Sequence, residues 1–359
     1  MSGIDAAVIA FLITAAFILA LRPVAFAVGL VDQPGGRKNH VGVVPVIGGL
    51  CMFLGLVSTL PLLGTPTDGQ NAFIVAAALL VLIGALDDRF DIPPRVRLVA
   101  QATAAFIVCL GAGLVADNLG NILFFGDIHL GVFGLPFTVL VIIAVVNAFN
   151  MMDGLDGLAG GVGLAGLVVA TFAAVVFGDG GGATLGLIGI AVTSSFLLFN
   201  FPSLHNRKVR TFMGDAGSTL LGFMVVWMGL RLAHGPDPVI SPVTALWIAA
   251  LPIFDLFISF VRRIAKGQNP LHPDSEHLHH ILFRAGFPVR IVATIMTLTA
   301  FAVGLTGVVA HQVGVPDGVL FFGLIIIAFI QFWVVRRAWK IASWLRRKRG
   351  EDGMGRAES

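Results

Sequence analysis

Apolar residues in this chain come in long blocks separated by short polar interruptions. Eleven blocks are long enough to cross about 30 Å of hydrocarbon as helices: residues 5–29, 41–62, 71–86, 96–115, 132–150, 157–177, 183–201, 213–230, 242–261, 288–311 and 315–335. The third and eighth are short, so polar ends or tilt are expected there. The first has no basic flank and about twice the apolar length of a signal peptide, so it reads as a retained helix with its N-terminus outside. The pattern predicts an all-α, polytopic integral membrane protein, with one transmembrane domain over 1–335 and a basic cytoplasmic tail over 336–359.

Composition supports a lipid setting. The chain is 57% apolar and 12% charged, against roughly 25% charged for a soluble domain, and its mean hydropathy is +0.94. Cys51 and Cys109 fall inside apolar blocks without metal-ligand spacing, which closes the disulfide-scaffold and thiolate-metal readings.

Charge orients the blocks. Eleven spans from an external N-terminus put Arg37, Lys38, Arg89, Arg95, Arg97, Arg207, Lys208, Arg210, Arg262, Arg263, Lys266, Arg284, Arg290 and the tail on the inner side. Arg22 lies near the inner end of the first span, and of 23 Lys and Arg only Arg231 falls outside. The net charge of +3 needs no nucleic acid, because the excess sits in short loops facing anionic lipid.

The same map gathers the reactive side chains on the inner face. Asp87 and Asp88 close the third block, Asn147–Asp156 (NAFNMMDGLD) follows the fifth, Asn200 and Asp215 flank the next inner loop, and His272–His280 lies in the longest. Outer loops carry only scattered single aspartates. If the fifth helix runs on, Asn147, Asn150, Asp153 and Asp156 lie along one side of it at i, i+3. Acidic groups at the edge of a membrane bundle read as a functional site, while a lone Asn in such a bundle is a packing residue. Adjacent carboxylates at 87 and 88 repel unless a cation is shared or one turns away. Oxygen-rich acidic sites select Mg²⁺ or Mn²⁺. Asp215 sits in FMGDAGS, whose glycines permit close approach of a ligand. His277, His279 and His280 fit either a zinc site or a donor surface for a phosphate or diphosphate. Asp255, alone in its helix, is expected to pair with a neighbouring base or hold a loop. A secondary transporter would place ionisable groups through the bundle depth and show inverted repeats. A non-enzymatic scaffold would need no acid, amide and imidazole set.

VPVIGG (Val44–Gly49), LDDRFD, NAFNMMDGLDGLAGG, FMGDAGS and HLHH, in this order, resemble the polyprenyl-phosphate N-acetylhexosamine-1-phosphate transferases. That family includes the phospho-N-acetylmuramoyl-pentapeptide translocase. NAFN, MDGLDGLAGG and HLHH are similar to its WecA and TagO branch. Ser275 departs from the branch, which commonly carries Arg there.

The resemblance implies transfer of N-acetylglucosamine 1-phosphate from UDP-GlcNAc to undecaprenyl phosphate at the cytoplasmic face of a bacterial inner membrane. The products are UMP and the lipid diphosphate sugar that initiates a cell-surface polysaccharide. Another UDP-N-acetylhexosamine, such as UDP-GalNAc or a deoxy sugar, is the alternative donor, and a homodimer is an assembly left open. It implies Mg²⁺, with Mn²⁺ as substitute, on Asp215 and Asp88, and catalytic roles for Asp87, Asp88, Asp215 and His279. Lys38, Asn150, Asp153, Asp156, Asn200, His277 and His280 are the implied substrate contacts. A lipid phosphate is largely dianionic at neutral pH, so direct attack is expected, with a covalent aspartyl intermediate as the other route.

Overall fold

A single buried helix organises the molecule. In the computed structural model, which describes residues 1–33, 42–64, 67–202, 210–267 and 277–349, helix α8 (Gly214–His234) is buried without interruption from Ala216 to Leu230. Lipid is as apolar as Leu, so helices in it associate through close packing, and small residues permit that. A Cβ on Gly49 would lie 2.1 Å from the Gly217 nitrogen, and one on Gly84 would lie 2.5 Å from Ala216 Cα. These two glycines let α2 (Gly48–Thr59) and α3 (Asp68–Phe90) grip the first turn of α8 backbone to backbone.

Against α8 also pack α5 (Gly134–Met152), α6 (Leu158–Phe177) and α7 (Gly180–Asn200), while α1 (Gly3–Val28) lies on α2 and α7, and α4 (Pro94–Gly111) on α3 and α5. The C-terminal part holds α9 (Pro242–Ile248), α10 (Ala250–Ala265), α11 (Leu278–Arg284), α12 (Val289–Gln312) and α13 (Asp317–Arg349). Ser2 and Thr67 cap α1 and α3 with reciprocal capping boxes. Among the described residues nine helices are long and apolar enough to cross a membrane, the α9–α10 pair makes a tenth if taken as one broken span, and Gly48–Leu63 is apolar but shorter. The protein is polytopic.

The structure corrects several expected boundaries. The third block extends to Asp68–Phe90, so Asp87 and Asp88 lie inside its helix rather than beyond it. The ninth block breaks after Ile248 and bends by 82°. The second block begins with a strand: β1 (Val31–Asp32) pairs antiparallel with β2 (Val44–Pro45), a small exception to an all-α fold. Val46 then bridges to Phe212, and the amides of Gly48 and Gly49 donate to the carbonyls of Phe212 and Met213 at 2.9 and 3.1 Å. VPVIGG is thus the seat on which the start of α8 rests. Helix α13 continues to Arg349, well past the expected end of its block at 335.

Candidate active site

The first turn of α8 has amide groups with no partner in their own helix, and their partial positive charge attracts an anion. Asp88 fills that position from α3: Oδ1 accepts the Asp215 N–H at 2.8 Å and Oδ2 accepts the Ala216 N–H at 3.3 Å. Gly214 makes this fit possible. Its φ is +69°, and a Cβ there would lie 2.4 Å from Asp88 Oδ2. Asp87 points elsewhere, as one of two adjacent carboxylates must. It is buried, accepts the Ile92 N–H at 2.7 Å and pairs with Arg97 at 2.6 Å.

Arg97, from the second turn of α4, bridges two acids, because the same guanidinium nitrogen reaches Asp215 Oδ2 at 3.1 Å. Asn150, in the last turn of α5, holds the other oxygen of Asp215 at 2.7 Å and also donates to Ser218 Oγ at 3.1 Å. Asn147, one turn earlier, pairs with Gln101 at 2.6 Å. Arg97, Gln101, Asn147, Asn150, Asp215 and Thr219 line one cavity against α3. Sequence reasoning read Arg97 only as an inner-side charge and passed over Gln101, although a glutamine within an apolar helix was a usable signal.

Helix α5 does not carry all four polar residues of NAFNMMDGLD. It ends at Met152, and Asp153 leaves the helical region with ψ 50°. Asp153 and Asp156 therefore lie in a tight loop. Burial pushes the Asp153 carboxyl well above the ordinary range, and Asp215, Asp88 and Asp156 add to the rise. Asp156 pairs with Arg210, whose guanidinium stacks 4.7 Å from the Phe212 ring and whose carbonyl accepts from Arg22 at 2.9 Å.

Asn200 is tied to the backbone of two loops. Placed at the substrate by the resemblance, it is buried with both ends of its amide used on backbone: Oδ1 accepts the Gly157 N–H at 2.7 Å and Nδ2 donates to the Thr211 carbonyl at 3.0 Å. It shapes the site by fixing the turn into α6.

The histidines face that loop from the other side. His279 is fully buried, and among the described residues neither of its ring nitrogens has a hydrogen-bond partner. Its Nε2 lies 2.9 Å from where a Gly154 Cβ would stand. Burial lowers the His279 pKa to about 3, and the neighbouring His280 adds to the fall. His279 is thus neutral, with polar atoms left for a ligand. His280 sits 4.2 Å from it, ring to ring. His277 binds Asp255 at 2.9 Å, so the expectation that Asp255 pairs with a base holds.

Lys38, Ser275, Asp274 and Glu276 lie outside the described residues. Among the described residues no three acidic, histidine or cysteine side chains form a ready-made metal cage. Mg²⁺ seldom uses one. It keeps several waters and binds through one or two carboxylates plus substrate phosphates, and a divalent ion would relieve the like charge that adds to the effect of burial at Asp153. Asp88, whose carboxylate accepts the Asp215 N–H, and Asp215 bring two carboxylates to one helix end and fit that mode.

Residues 71–233 match the family model described as glycosyl transferase family 4. The chain is 37% identical over 342 residues to an undecaprenyl-phosphate alpha-N-acetylglucosaminyl 1-phosphate transferase of Salmonella typhi, covering 94% of this chain and 92% of the relative. A protein of the same name from Escherichia coli K12 is likewise 37% identical with the same coverage. One from Pasteurella multocida is 36% identical over 332 residues, covering 92% of this chain and 93% of the relative.

Proposed function

Since the chain belongs to glycosyl transferase family 4, we propose that it transfers N-acetylglucosamine 1-phosphate from UDP-GlcNAc to undecaprenyl phosphate, releasing UMP. The names of its relatives give the acceptor and the group transferred, and the arrangement around Asp215 supports the reading. An oxygen of the lipid phosphate bonds to the β-phosphorus of the nucleotide sugar, the bond from that phosphorus to the oxygen bridging it to the α-phosphate breaks, and UMP leaves. The acceptor is already a competent anion, so the protein's work is to align two anions and stabilise the charge that shifts between them.

Asp215 and Asp88 would hold Mg²⁺, which supplies charge neutralisation at the phosphates. Arg97 and Asn150 set the Asp215 carboxylate at its two oxygens. Asp87 anchors Arg97 from a buried position. Asp153 and Asp156 flank the nucleotide, with Asp156 fixed by Arg210. His279 and His280 donate to the diphosphate or sugar, and the unpartnered nitrogens of neutral His279 support that role. Residues 1–335 form one catalytic domain of eleven spans in a bacterial inner membrane, counting the bent pair and the shorter helix. The N-terminus is outside, and the site opens to the cytoplasm, where nucleotide sugars are made.

The observation that carries this reading is the meeting of Asp88, Asp215, Asn150 and Arg97 at the N-terminus of a buried helix. Purified protein with undecaprenyl phosphate and a panel of UDP-N-acetylhexosamines tests it. UDP-GlcNAc is expected to give the fastest UMP release, with no release before acceptor is added. Turnover of UDP-GalNAc alone would overturn the donor, and stoichiometric UMP without acceptor would favour a covalent route.

A further inference from the structure

The bent helix pair carries one carboxylate that the transfer chemistry leaves without a task. Asp255 stands on α10, 3% exposed, and both of its oxygens engage the histidine segment. Oδ2 lies 2.9 Å from His277 Nδ1, and Oδ1 accepts the Leu278 N–H at 3.2 Å, pinning the start of α11. An ionised carboxylate offers only acceptors, so the nitrogen facing it must carry the proton; an unprotonated Nδ1 would set lone pair against lone pair. Ser259 Oγ, 3.1 Å from the same nitrogen, closes the remaining side. The hydrogen bond at one ring nitrogen decides which tautomer a neutral ring adopts, and a proton on Nδ1 makes Nε2 the acceptor of that tautomer.

The orientation is passed on. The His277 and His279 rings lie 3° from parallel with centroids 5.6 Å apart, and His279 in turn abuts Gly154 in the loop of Asp153 and Asp156. Resting on the transfer reading above, we propose that Asp255 is a positioning residue of the reaction. It fixes the tautomer of His277 and, through the stacked pair, the aim of His279 at the sugar diphosphate. Outer partners of this kind are worth about 10- to 100-fold in activity at other sites where a carboxylate orients a histidine. An amide at 255 supplies one acceptor and one donor, so with its oxygen on the Leu278 N–H its NH₂ faces His277 Nδ1 and favours the other tautomer, with the proton on Nε2.

Asp255→Asn, His277→Ala and the double variant test this in the full-length protein, with UDP-GlcNAc and undecaprenyl phosphate as substrates. Asp255→Asn is expected to lower kcat about 50-fold while KM for the lipid stays within about twofold. In the His277→Ala background the same change should cost less than about threefold, because coupled residues are not additive. Turnover of Asp255→Asn within about threefold of wild type, or losses that multiply in the double variant, overturns the proposal. If Asp255→Asn does not assemble, ¹⁵N-histidine NMR of the wild type, assigned with His277→Gln, reads the tautomer directly. A proton on Nδ1 of His277 is expected, and a proton on Nε2 alone overturns the proposal. Wild-type protein that releases no UMP sinks the transfer reading, and the same NMR signal still tests the pairing.

Discussion

Asp215 concentrates the chemistry of one residue into two hydrogen bonds and a helix end. Its oxygens are held by Asn150 and Arg97, and its own amide is taken by Asp88. Asp215→Asn keeps the shape but replaces an acceptor with an NH₂ facing one of two donors. We expect a folded, membrane-inserted protein with activity lower by about 100-fold or more and a weakened response to Mg²⁺, measured as UMP release against metal concentration. Near-normal activity at low Mg²⁺ would remove Asp215 from the metal. His279 yields a second prediction at this scale. Its pKa falls to about 3 on folding, from about 6.5 in an unfolded chain, so between these values the unfolded state binds the extra proton. Stability from this group is complete above about pH 6.5 and is lost as pH falls toward 3, at up to about 1.4 kcal/mol per pH unit. Melting curves of ligand-free protein should shift downward from pH 7 to 5, and His279→Asn should flatten that shift. An unchanged slope in the variant would place the titration elsewhere.

The elements show why the motifs take the form they do. LDDRFD was legible as acidic but not as a cap, because the amides that Asp88 accepts belong to a helix more than a hundred residues on. Asn200 read as polar and inward, and only the path of the chain at Gly157 and Thr211 reveals that its amide ties two backbone segments together. The i, i+3 stripe through Asp156 fails because Gly154 and Gly157 interrupt a helix that periodicity alone would continue. Gly157, at φ +75°, is the left-handed residue from which α6 departs. The grip of α3 on α8 is also testable. In Gly84→Ala the new Cβ meets Ala216 backbone at 2.5 Å, which no side-chain rotation relieves. Overpacking of this kind costs about 1–3 kcal/mol, and the displaced first turn carries both Asp215 and the amides that Asp88 binds. Gly84→Ala is expected to lower the melting temperature and to reduce kcat more than KM. An active, equally stable variant would show that the helices separate freely here.

Across the whole molecule, hydrophobic blocks and the placement of Lys and Arg were enough to read a polytopic helical protein and one chemically rich face. Each of the eleven blocks contains a helix, but the 82° bend between α9 and α10, inside the ninth, was not legible. The break falls inside a run, LWIAALPIF, whose composition is apolar throughout. The family was legible because the motifs come in order. The partners of Arg97 and Arg210 were not, because each reaches an acid distant in the chain, and for Asp255 a base was expected without the sequence showing that it is His277. Orientation is open to direct test in a variant lacking Cys51 and Cys109. A cysteine at Gly181, in the turn into α7, should react with an impermeant thiol reagent on intact cells, and one at the exposed Arg95, at the start of α4, should be shielded. The reverse pattern would turn the site outward, away from any supply of nucleotide sugar.

The central claim is that the protein moves a sugar together with its phosphate, and the fate of the β-phosphorus decides it. Purified enzyme, undecaprenyl phosphate and UDP-GlcNAc carrying ³²P at the β-position are incubated with Mg²⁺ and then partitioned between organic solvent and water. The account predicts that the label enters the lipid fraction in equal amount to the UMP released, and that both fall by about 100-fold or more with Asp215→Asn. Label that stays in water as UDP while the sugar moves to lipid would contradict it.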